Sequence, residues 1–152
     1  MPIGTVGAMD LTSTAIKTRQ LSTFVVDDLL FGIDVLKIQE VLRCQDMTKV
    51  PLAPPEVEGL INLRGQIVTA LDVRRLLRLP ARSRESRPMS MVIRTEGGAV
   101  SLLVDDIGDV TEVSSDLFET PPANMPKEQA DLLEGVFKIE GRLLLVLKTD
   151  SF

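Results

Sequence analysis

The chain carries one pattern twice. Glu58-Gly59-Leu60-Ile61-Asn62-Leu63-Arg64-Gly65-Gln66-Ile67-Val68 aligns with Glu134-Gly135-Val136-Phe137-Lys138-Ile139-Glu140-Gly141-Arg142-Leu143-Leu144. Each copy runs through Glu-Gly, an apolar-rich segment, a charged residue, Gly, a polar residue and an apolar strand. Each half of the chain also opens with a hairpin pattern. Repeated short strands joined by glycine turns point to small β-barrels, which close their own edges. The copies differ at one place that matters. Glu140 stands where Arg64 stands, so the two halves are not chemically equivalent.

The remaining segments fit the same architecture. Phe24–Val26 and Leu29–Ile33 read as a hairpin across Asp27-Asp28, and Met89–Thr95 with Ala99–Val104 as a second across Glu96-Gly97-Gly98. Gly135–Ile139 and Arg142–Leu147 form a third over Glu140-Gly141. Val110–Val113 is a short strand, Ile67–Leu71 a buried strand, and Val73–Leu79 a short amphipathic helix. Val35–Val41 admits helix or strand. The adopted reading is a short helix followed by a strand through Leu42 to Lys49. Glu56–Leu63 reads as a helical turn before the Gly65 bend. Prolines at 51, 54 and 55, and the run Pro121–Pro126, mark irregular connections. Residues 1–20 hold scattered Gly, Thr and Ser and read as a flexible tail, with order beginning near Leu21. The polar stretch Pro80–Pro88, made basic by Arg82, Arg84 and Arg87, is the internal boundary within a single domain over residues 21–152.

Composition narrows the function classes. A chain of 152 residues with 44% hydrophobic content can build a real core. Its net charge of −5, and the absence of Trp and Tyr, argue against a nucleic-acid surface, which needs a basic footprint and stacking rings. Histidine is absent too, which removes the commonest general base and the commonest zinc ligand. No apolar run approaches the ~20 residues a membrane span needs, and Met1–Asp10 lacks the features of a signal peptide. An intracellular location with no direct membrane insertion is expected. Cys44 stands alone, with no histidine to activate it as a nucleophile.

Four segments in order carry a family resemblance: Phe31-Gly32-Ile33-Asp34-Val35 with Ile38-Gln39-Glu40-Val41; Gly59 through Asp72; Val104-Asp105-Asp106-Ile107-Gly108-Asp109-Val110; and Leu133-Glu134-Gly135-Val136. From Leu21 to Leu147 the chain resembles the CheW-like family of chemotaxis coupling proteins. The resemblance implies an all-β fold with short helices, in which two SH3-like five-stranded antiparallel β-barrels pack together. It implies a non-enzymatic adaptor without a cofactor. Such an adaptor joins the cytoplasmic tips of chemoreceptors (methyl-accepting chemotaxis proteins) to the regulatory domain of the CheA histidine kinase. It is cytoplasmic and recruited to membrane-associated receptor arrays, where other CheW copies are further partners. Within the family the receptor site lies in the groove between barrels, and the kinase site on the outer surface of one barrel.

Arg64 is the sharpest candidate residue. It is the only charge between Gly59 and Asp72, so it must pair with a carboxylate or face a partner. Family analogy supplies Glu40 as its carboxylate, in a bidentate pair. Asn62 and Gly65 shape the bend beside it. Ile38, Val41 and Leu42 either present an apolar patch or, as is commoner for such residues, pack into the core. These seven residues are the expected protein-binding set. Asp105, Asp106 and Asp109 invite a metal reading, but the spacing lacks an EF-hand loop and Gly108 suggests a turn, so no metal site is assigned. Arg82, Arg84 and Arg87 read as a solvated loop more than as an anion patch.

Three functions compete. A chemosensory scaffold that works by binding alone is the leading one. A small all-β hydrolase using Asp105 and Asp106 as acid and base is the second. An unrelated interaction barrel, or a nucleic-acid module of the same shape, is the third.

Overall fold

The computed structural model describes residues 17–43, 45–83 and 85–152. Ten strands run through them: β1 (Thr18–Val26), β2 (Leu29–Asp34), β3 (Ile38–Arg43), β4 (Val57–Leu63), β5 (Gln66–Asp72), β6 (Met89–Thr95), β7 (Gly98–Val104), β8 (Asp106–Ser114), β9 (Leu133–Ile139) and β10 (Arg142–Leu147). Two four-residue helices, α1 (Val73–Leu76) and α2 (Lys127–Ala130), and three 3-10 turns complete the described elements. The expected tail over residues 1–20 lies outside the described residues through position 16, and ordered strand begins at Thr18, before the expected Leu21. Cys44 and Arg84 also lie outside the described residues.

The strands form two five-stranded sheets, ordered β8-β1-β2-β10-β9 and β3-β6-β7-β5-β4. Pairing is antiparallel except for one parallel pair in each sheet, β2 with β10 and β5 with β7. Raising or lowering every strand number by five turns one order into the other. The chain is thus two successive five-strand repeats, β1–β5 and β6–β10. Each sheet is assembled from both repeats. The polar stretch 80–88 separates the repeats along the chain, and strands from both sides of it enter each sheet.

The repeated Glu-Gly has a structural cause. Val57 and Gly59 face Leu71 and Ala70, while Leu133 and Gly135 face Leu147 and Val146, so Glu58 and Glu134 are each the extra residue of a β-bulge. The glycine that follows lets another segment approach closely. Thr48 exchanges both backbone hydrogen bonds with Leu60 (2.9 and 2.8 Å), and Glu119 does so with Val136 (2.9 and 2.8 Å). In each sheet, the chain beyond one edge strand therefore crosses to the other edge and closes the barrel. A Cβ on Gly59 would lie 2.8 Å from the Thr48 carbonyl oxygen, and one on Gly135 would lie 2.5 Å from that of Glu119.

Strand alternation sorts the apolar side chains into three clusters. Leu21, Val113, Phe137, Leu144 and Val146 fill one barrel, and Ile61, Ala70 and Leu103 the other. A larger cluster joins the two sheets through Phe24, Phe31 and Ile33 on one side and Leu71, Met91, Ile93 and Leu102 on the other. The rings of Phe24 and Phe31 stack there with centroids 5.5 Å apart. The two barrels share one core.

Three sequence expectations change. Glu56–Leu63 is not a helical turn but strand β4, because the bulge at Glu58 puts Val57, Leu60 and Ile61 at helix-like spacing. The strand expected from Leu42 to Lys49 is β3, starting at Ile38 and ending at Arg43 after a single 3-10 turn over Val35–Lys37. The turn expected near Gly108 lies within β8, which begins at Asp106.

Candidate functional site

The β4–β5 turn presents Arg64. Arg64 and Gly65 both hold left-handed backbone, with φ of 52° and 87°, as a two-residue hairpin turn of this twist requires. Asn62 fixes the turn by accepting a hydrogen bond from the Gly65 N–H at 2.9 Å. The guanidinium then reaches β3, where Nη1 and Nη2 each donate to one Glu40 carboxylate oxygen at 2.9 Å. The pair joins the two edge strands of one sheet. Arg64 remains 80% exposed, while Glu40 is only 22% exposed. The arginine in an apolar run is thus paired and faces solvent at once.

The other expected binding residues lie on the same edge. Val41, next to Glu40, is 39% exposed. Leu42 is half-buried and belongs to none of the three apolar clusters, whereas Ile38 packs against the shared core. Core packing, the commoner fate weighed for these three, holds for Ile38 and not for Val41. The equivalent turn of the other repeat, Glu140-Gly141, has the same left-handed backbone, with φ of 47° and 77°. An acid there reverses the charge that Arg64 carries, so a cation at this turn position marks one barrel alone.

A second charged cluster sits where the chain passes between the sheets, and sequence reasoning missed it. Arg74 on α1 donates from Nε and Nη2 to the two oxygens of Asp105, at 3.0 and 2.6 Å, and from Nη1 to the Pro80 carbonyl at 2.7 Å. Asp105 also accepts the Asp27 N–H at 2.7 Å. Asp72 caps α1 by accepting the Arg74 N–H at 3.0 Å, and Arg82 lies 3.5 Å from the same oxygen. Burial raises the Asp105 pKa, but the Arg74 hydrogen bonds, the Asp27 N–H and the charges of Arg74 and Arg82 together bring it below the ordinary value. The hydrogen bond to Asp105 raises the pKa of Arg74 against the opposing effect of burial. The local signal was Asp72 followed two residues later by an arginine at a helix start, but Asp105 is distant in sequence.

These contacts dispose of the acid–base reading of Asp105 and Asp106. Asp105 is held ionised in a bidentate ion pair, while Asp106 is exposed and accepts its neighbour Ile107's N–H at 2.9 Å. They do not act as a proton-sharing pair. Asp109 is exposed as well, and its carbonyl accepts the Thr23 hydroxyl at 2.6 Å. Among the described residues, no three Cys, Asp or Glu side chains are grouped to hold a metal ion, and no helix is long and apolar enough to cross a membrane. Arg82 is folded into the ion-pair cluster at 13% exposure, not solvated as expected for its loop.

The model of the CheW-like domain matches residues 20–152. The chain is 30% identical over 133 residues to a chemotaxis protein CheW of Rhizobium meliloti, covering 88% of this chain and 86% of the relative. It is 28% identical over 143 residues to that of Thermotoga maritima, covering 94% and 93%. Among solved structures, the scaffolding protein TtCheW from Thermoanaerobacter tengcongensis superposes with a TM-score of 0.80 at 24% identity, covering 88% of this chain and 91% of that one, a likeness of fold. With the repeated barrels in place and the match running through both of them, the chain belongs to the CheW-like domain family.

Proposed function

We propose that this protein is a cytoplasmic adaptor of chemosensory arrays that couples chemoreceptor cytoplasmic tips to the CheA histidine kinase, and that it acts by binding alone. The observation that carries the reading is the family match over residues 20–152 in a chain whose exposed Arg64–Glu40 clasp sits on one barrel edge. Arg64 and Val41 form the exposed part of the docking surface, with the half-buried Glu40 and Leu42 beside them, Ile38 at its core-facing margin, and Asn62 and Gly65 setting the turn. An exposed, pre-oriented guanidinium is a common anchor of protein interfaces. An adaptor of this kind needs separate surfaces for its partners, and its effect on the kinase is a coupling free energy.

Calorimetric titration with a receptor cytoplasmic fragment and with the kinase, singly and in sequence, tests the reading. Each partner is expected to bind, and the second to bind with the first in place. Failure to bind either cognate partner, or simple competition for one site, overturns it.

A further inference from the structure

We infer that residues 80–88 are a hinge through which two copies of this chain exchange their five-strand repeats. The pairings of β1 with β8, β2 with β10, β3 with β6 and β5 with β7 all join one repeat to the other. The shared core likewise draws side chains from both repeats. A second copy can supply the missing repeat without changing any of these pairings. The closed chain and the exchanged dimer then differ only at the link and in the entropy of association, which is the condition under which domain swapping occurs.

Among the described residues, Pro80 and Arg82 hold the link to the rest of the chain. Pro80 accepts one hydrogen bond from Arg74 at 2.7 Å. Arg82 makes ion pairs at 3.5 Å to Asp72 and 3.7 Å to Asp105, and its Nε has no hydrogen-bond partner among the described residues. These two ion pairs tie the link to carboxylates on the sheets, Asp72 at the end of β5 and Asp105 after β7. Opening the link returns Arg82 to water and, among the described residues, gives up these ion pairs and the Arg74–Pro80 hydrogen bond. Pro80 and Pro88 also bias Leu79 and Arg87 toward extended backbone. Arg82 is therefore the clamp that favours the closed chain. For a binding protein, the exchanged dimer carries every docking surface twice.

The test uses the full chain bearing Gln20→Cys and Glu112→Cys in a Cys44→Ser background. Gln20 and Glu112 are exposed and face one another across β1 and β8, one from each repeat, at a separation that antiparallel partners can bridge with a disulfide. Oxidation links a closed chain to itself and an exchanged dimer between chains, and denaturing electrophoresis tells them apart. On refolding from denaturant, the interchain product is expected to increase with protein concentration, and severalfold further with Arg82→Ala. Deleting residues 83–86 should make it the main product. Intrachain product alone at every concentration, in both the parent and the Arg82→Ala protein, would overturn the proposal. So would dimers in sedimentation whose disulfides are all intrachain. If the shortened chain does not fold, the concentration series decides.

Discussion

Arg64 and Glu40 occupy opposite edges of one sheet and are clasped by two hydrogen bonds of 2.9 Å. The clasp is asymmetric, because Arg64 is mostly in water and Glu40 mostly out of it. Removing one partner therefore differs from removing the other. Glu40→Ala leaves a solvated guanidinium and is expected to cost at most about 1 kcal/mol in urea unfolding. Arg64→Ala strands a largely buried carboxylate and is expected to cost about 1–2 kcal/mol. The double mutant should lose less than the sum of the two. Both single variants should weaken partner binding. Strictly additive stability losses would mean that the two side chains do not touch in solution.

Asp105 makes acid sensitivity a local property. Its native pKa is depressed, so the unfolded chain binds its proton more readily than the folded one. The stability it contributes is fully present well above the unfolded value of about 3.9. It is lost as the pH falls from there through the depressed native value. Wild-type protein should therefore lose stability more steeply below about pH 4 than Asp105→Asn, whose neutral amide removes this titration. At neutral pH, Arg74→Ala should cost about 2–4 kcal/mol, because it leaves Asp105 without its bidentate partner and frees the Pro80 carbonyl. Parallel acid unfolding curves for wild type and Asp105→Asn would rule out Asp105 as the source.

Local chemistry makes the hairpins legible in the sequence, whereas bulges and long-range pairing hide much of the rest. The loops at Asp27-Asp28, Glu96-Gly97 and Glu140-Gly141 each lie between apolar strands, and all three hairpins are present. β4 is hidden because the bulge at Glu58 breaks alternation and imitates a helical face. The start of β3 is obscured in the same way, by an irregularity between Ile38 and Glu40. The exchange of strands between repeats leaves no local mark, since each strand has the same pattern whichever repeat pairs with it. Arg64 stands out as one charge in an apolar run. Arg74 and Arg82 do not, because the carboxylate they share, Asp105, comes from the junction between β7 and β8.

The echoed glycines separate two demands on glycine, close approach and backbone sign. Gly59 and Gly135 face the carbonyls of the segments that close each barrel, at 2.8 and 2.5 Å from a would-be Cβ, and Gly135 also faces the Phe118 ring. Neither has a left-handed φ, so an alanine there is opposed by sterics alone. Gly65 is the reverse case, with φ of 87° and nothing within 4 Å of a Cβ. Gly59→Ala should thus cost about 1–3 kcal/mol through displacement of the Thr48 crossing. Gly135→Ala should cost more, because it meets both a backbone carbonyl and an aromatic ring. Gly65→Ala should cost about 1–2 kcal/mol from backbone strain. Hydrogen exchange distinguishes the causes. The Thr48 and Leu60 amides should lose protection in Gly59→Ala, and the Glu119 and Val136 amides in Gly135→Ala. In Gly65→Ala both closing pairs should fall only as global stability falls. Unchanged protection of Thr48 and Leu60 in a destabilised Gly59→Ala protein would refute close approach as the reason the Glu-Gly pattern occurs twice.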